Sequence, residues 1–184
     1  MNEPHPVEPP MPNPNEVEML LYGLDRTRRT LHWKCGGLDA AGLGRALAPS
    51  TLTLGGLLKH LALVEDHYTA VALTGEPMGE PWDGVDASEW PDWEWRSAAH
   101  DAPAELYALW DDAVARSRRA VAQLLETGGL DQPTKLTTDD GRPLNLRRVL
   151  VDLHEEYARH VGHADLLREA IDGLVGEDAP RTTS

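Results

Sequence analysis

The sequence predicts an all-α protein: an antiparallel bundle of four long helices, with a long loop between the second and third. Three observations carry that reading. Four stretches repeat apolar residues at three- and four-residue spacing, capping and stopping residues stand at their ends, and no set of alternating segments suggests a sheet.

Residues 1–14 hold prolines at 4, 6, 9, 10, 12 and 14, too many for a helix, and are expected to form a disordered tail. The helical pattern begins at Asn15 and carries Met19, Leu20, Leu24, Leu31 and Trp33 until Gly36-Gly37 stops it. A short helical piece is expected within Ala40–Ala48, before Pro49. Ser50 or Thr51 is the expected cap of the second long helix. That helix places Leu54, Leu57, Leu58, Leu61 and Val64 on one side and runs to Gly75. From Gly75 to Ala102 lies the long connection, with Pro77, Pro81 and Pro91 and with Trp82, Trp90, Trp93 and Trp95. A loop of that length is usually functional or packed as a lid. The plainer expectation, and the favoured one, is that its indoles plug one end of the bundle.

Asp101 before Ala-Pro-Ala-Glu reads as the start of the third helix, which continues through Leu106, Trp110, Val114 and Val121 to Gly128-Gly129. Asp139-Asp-Gly-Arg-Pro reads as a turn, and Asn145 as the cap of a last helix closed by Gly173. Residues 15–175 therefore form one expected domain, followed by a C-terminal tail over 176–184.

The formal net charge of −14 argues against a nucleic-acid partner and against an anionic membrane surface, both of which call for a basic face. No apolar run reaches the length of about 20 residues that spans a bilayer. The acidic, proline-rich start is unlike a signal peptide, so a cytoplasmic location is expected. A homodimer is the expected form of any assembly, since oligomers are usually two-fold, although no exposed apolar stripe argues for one. The single cysteine, Cys35, excludes an intramolecular disulfide and reads as a small packed hydrophobe.

The chemistry concentrates on the last helix. With Glu156 as zero, a turn of about 100° per residue puts His160 at about +40°, His163 at about −20° and Asp152 at about −40°. His154 points away, at about 160°. On the second helix His60 shares a face with Leu57, Val64 and His67. A single inward histidine is most often a hydrogen-bonded core residue. Two helices that both carry inward imidazoles point to metal, because each buried polar group left unpaired costs about 1–3 kcal/mol and one ion satisfies them together. The phase favours one ligand from the second helix and two from the fourth. Three protein ligands leave an open position, as in reactive zinc sites. Two imidazoles and a carboxylate suit Zn²⁺, Ni²⁺ or Fe²⁺. His163 stands behind the ligands, faces the substrate, or replaces Glu156 as the third ligand.

Two stretches carry a family resemblance. Residues 51–65 (TLTLGGLLKHLALVE) resemble the second helix of the DinB-like superfamily. Residues 144–173 (LNLRRVLVDLHEEYARHVGHADLLREAIDG) are similar to the fourth helix of its DUF664 branch, which includes mycothiol-dependent S-transferases and the metal-binding half of a mycothiol-dependent maleylpyruvate isomerase. The resemblance implies His60, Glu156 and His160 as metal ligands. The chain departs from the branch by carrying Asp152 where a histidine is common, and a counterpart of the isomerase's C-terminal domain is not expected, which argues against an isomerase. What the resemblance implies is a detoxifying transferase. A divalent ion would activate a low-molecular-weight thiol, mycothiol, for attack on a small electrophile. A metal-binding bundle without catalysis and a metal-dependent hydrolase are the alternatives. Arg159, Arg168 and the loop tryptophans are candidates to line a pocket for a sugar-containing thiol.

Overall fold

The computed structural model describes residues 12–179. The expected tails therefore fall mostly outside the described residues, residues 1–11 and 180–184 entirely so.

The chain is mostly helical. Helix α1 spans Glu16–Cys35, a single turn α2 Ala40–Leu43, α3 Leu54–His67, a short α4 Trp93–Ser97, α5 Pro103–Thr127 and α6 Leu146–Asp172. Strands β1 (Pro133–Thr137) and β2 (Pro143–Asn145) form an antiparallel pair between α5 and α6. Helix α1 packs along α6, and α3 lies against both α5 and α6. The core between them is aliphatic, with Leu24, Leu31, Leu57, Leu58, Leu61, Leu146, Leu150 and Leu153 almost fully buried. None of the described helices is long and apolar enough to cross a membrane.

Most helix ends follow local chemistry. Asn15 accepts from Glu18 N while Glu18 accepts from Asn15 N, a reciprocal cap. Asn145 accepts from Arg148 N, and Gly173 closes α6 at φ +80°. Two starts differ from expectation. The cap of α3 is Thr53, whose Oγ1 accepts from Gly56 N, while Ser50 Oγ serves a turn to Leu52 N. At α5 the helix begins at Pro103 behind Ala102, with Glu105 accepting from Ala102 N. Asp101 instead meets Lys59 Nζ at 2.5 Å. An ion pair with a buried lysine outcompetes a cap for that carboxylate.

The all-α expectation is corrected by the hairpin. Thr134 is buried in it and donates to Leu144 O, and the expected turn lies at Gly141, φ +81°. Strands of five and three residues are too short for periodicity to reveal. The hairpin also serves α6, because Leu146 N and Arg147 N donate to Gln132 O and Leu130 O, just before β1. After α3 the chain continues as a π-helical segment, Tyr68–Thr74, ended by Gly75 at φ +75°.

One polar knot runs through the core. Arg28 on α1 holds Glu65 on α3 with two 2.7 Å hydrogen bonds. Tyr157 on α6 donates to Glu65 at 2.8 Å, and Trp110 on α5 donates to the Tyr157 hydroxyl at 2.8 Å. All four long helices thus meet at hydrogen bonds of fixed geometry, which set their registers.

Candidate metal centre

The aliphatic stripe of α3 turns His60 toward α6, and one helical turn separates Glu156 from His160 on the facing side. His60 Nε2 lies 3.9 Å and His160 Nε2 3.5 Å from the same atom, Glu156 Oε2. One ligand atom from each residue falls within 4.8 Å of the others. The His160 side chain is 9 % exposed, His60 19 % and Glu156 38 %, so the cluster opens to solvent on the Glu156 side. A donor set of two imidazoles and a carboxylate fits a divalent ion of the zinc, nickel or iron type.

The remaining imidazole nitrogens are also engaged. His60 Nδ1 is 3.2 Å from Glu94 Oε1, and His160 Nδ1 is 3.3 Å from His163 Nδ1. His163 therefore stands on the side of His160 away from Glu156 Oε2. Burial, and after it electrostatic repulsion by the His60, His163 and Arg159 side chains, lowers the His160 pKa from 6.5 to about 4. At neutral pH it is uncharged, the state a ligand needs.

A stability consequence follows for metal-free protein. The unfolded chain takes up a proton near pH 6.5, which folded His160 refuses until about pH 4. Its contribution therefore lowers stability as pH falls through that window and is absent above it. Urea unfolding across the window should show this loss, and His160→Ala should remove that part of the profile.

The long loop reaches this site by a series of anchors. Trp82 donates to Asp66 Oδ2 at 2.8 Å, and Arg116 grips the same carboxylate at 2.8 and 2.9 Å. Lys59 Nζ sits 4.3 Å above the Trp93 ring. Trp95 stacks on His60, with centroids 4.3 Å apart and planes at 23°. Gly56 is what lets the indole lie so close to α3, since a Cβ there would stand 3.1 Å from Trp95 Cε3. Of the loop indoles expected to plug one end, Trp82 is buried, Trp90 is 48 % exposed, and Trp95 lies at the histidines. Trp95 also lines a cleft of about 700 Å³ with Thr51, Thr53, Asp92 and Arg96.

Other candidates lie elsewhere. Arg168 is buried and donates to Lys34 O and Gly36 O, closing the end of α1 rather than lining a pocket. Arg159 is exposed, and the partner of Asp152 is Arg148, at 2.6 Å. His67 is exposed beside Tyr68, and His154 is half-buried against Gly23. Cys35 is fully buried, which pushes its thiol up to about 12 and leaves it inert as a nucleophile. Glu94 is a residue that sequence reasoning misses. Its one local signal, an acid between two tryptophans, does not say which helix the loop folds onto.

A search among curated proteins finds no match to the chain. A family model described as Mycothiol-S-transferase (MST) matches residues 19–173, which takes in α3, α5 and α6, all but the first turn of α1, the loop and the histidine cluster. The chain belongs to the mycothiol S-transferase family of the DinB-like, DUF664 group.

Proposed function

We propose that residues 15–175 form an antiparallel four-helix bundle that holds one divalent metal ion, zinc by preference, between His60, Glu156 and His160. The protein transfers mycothiol to electrophilic small molecules in the cytoplasm, as a detoxification step. The observation that carries this reading is the approach of two imidazole Nε2 atoms to one carboxylate oxygen, in a chain of the mycothiol S-transferase family.

A thiol with a pKa near 8.5 is mostly protonated at neutral pH and reacts through its thiolate. A divalent ion in the site supplies the charge that favours the thiolate. The chain's own residues do the rest. His160 stays neutral, and with its proton on Nδ1, the nitrogen 3.3 Å from His163 Nδ1, it would present a bare Nε2. Trp95 covers His60 and keeps water from that side, while the more exposed Glu156 marks the side from which substrates enter. In the transfer the sulfur forms a bond to carbon and the carbon–leaving-group bond breaks, with the thiol proton passing to solvent.

The test uses zinc-loaded protein, mycothiol and a fluorogenic alkyl halide. Conjugate should form faster than the uncatalysed rate only when protein and thiol are both present, and His160→Ala should reduce it to that rate. Consumption of the probe without thiol overturns the transferase reading in favour of a hydrolase, in which water takes the thiol's place.

A further inference from the structure

We propose that Glu94 is a positioning residue for the metal site: it holds the His60 proton on Nδ1, so that Nε2 is bare toward Glu156 and His160. The tryptophan-rich loop is then part of the metal-binding apparatus. This rests on the reading of His60 as a ligand.

The geometry is specific. Glu94 Oε1 is 3.2 Å from His60 Nδ1, whereas the opposite ring nitrogen, Nε2, is the one that faces Glu156. Glu94 is 8 % exposed, and a carboxylate that deeply placed needs a hydrogen-bond donor. The Nδ1–H of His60 is that donor. A neutral histidine in water favours its proton on Nε2, which would block the ligand atom, so the site needs a group that reverses the preference. Ligating histidines commonly donate their other N–H to a carboxylate, which orients the ring and raises its basicity.

The loop delivers this carboxylate by anchors that do not involve Glu94 itself. Trp82 is tied to Asp66, Asp101 to Lys59, and Trp93 lies under Lys59. The stacked Trp95 holds the plane of the His60 ring and leaves it two orientations, related by a flip about Cβ–Cγ. Glu94 selects the orientation within that plane.

Two measurements test the proposal. In nitrogen–proton correlation spectra of metal-free protein at neutral pH, His60 should carry its proton on Nδ1, and Glu94→Ala should move it to Nε2. In competition with a chromophoric chelator, Glu94→Ala should bind Zn²⁺ about 10–100-fold more weakly. Glu94→Gln, whose amide oxygen still accepts, should recover most of the affinity. Trp90→Ala, a change at an exposed loop residue, should leave it unaltered. Glu94→Leu keeps the buried volume and gives the same readouts should the alanine variant unfold. Unchanged zinc affinity in Glu94→Ala, or an Nδ1 proton that persists there, overturns the proposal. If wild-type protein binds no zinc, the metal reading fails by itself, and the tautomer of His60 still decides the role of Glu94.

Discussion

Glu65→Leu is expected to lower the unfolding free energy by about 3–5 kcal/mol, the cost of breaking a buried ion pair by removing one partner. Glu65 is fully buried and Arg28 is 4 % exposed, so the guanidinium left behind cannot rehydrate. Its other contacts, with Asp25 at 3.0 Å and Ser117 at 3.2 Å, do not replace two charge-assisted bonds. The Tyr157 hydroxyl also loses its acceptor. At roughly 2–4 °C per kcal/mol for a chain of this size, the melting temperature should fall by roughly 6–20 °C. The double variant Glu65→Leu, Arg28→Met should regain most of the loss, because well-packed apolar pairs replace buried ion pairs at little cost. Thermal and urea unfolding of the three proteins decide the matter. A loss of less than about 1 kcal/mol, the value of a surface pair, would mean that the knot does not brace the core. Tyr157 adjoins Glu156, so loosening this knot should also weaken the alignment of α6 with His60.

The second large effect concerns the metal itself. Elemental analysis of protein purified without a histidine tag should give near one divalent ion per chain, and His60→Ala or His160→Ala should abolish it. Each change removes one of three ligands, so each should exceed the about 10–100-fold loss that supporting residues cause. His163→Ala should retain the ion with weaker affinity, since His163 meets His160 at Nδ1 and not at the nitrogen beside Glu156. Full metal retention in both His60→Ala and His160→Ala would remove the site. Loss in His163→Ala as complete as in His160→Ala would make His163 a ligand and displace Glu156.

Helical phase is enough to turn His60 and His160 toward one another, since both positions depend only on the 3.6-residue repeat and on the apolar residues beside them. Phase does not separate Glu156 from His163, about 20° apart on the wheel. Depth along the helix separates them: Glu156 stands level with both Nε2 atoms, and His163 a turn beyond. Local capping signals hold where they have no competitor, at Asn145 and Gly173. They mislead where a distant group claims the side chain, as Lys59 claims Asp101.

What the sequence determined by itself is what neighbours in the chain decide: long amphipathic helices, most of their ends, and the turn at Gly141. Tertiary structure alone decided the Arg28–Glu65–Tyr157–Trp110 knot and the delivery of Glu94 and Trp95 to His60. The physical reason is common to both. A buried polar group must find a partner, and in these cases the partner lies on another helix, 34 or more residues away, where no local periodicity can point to it.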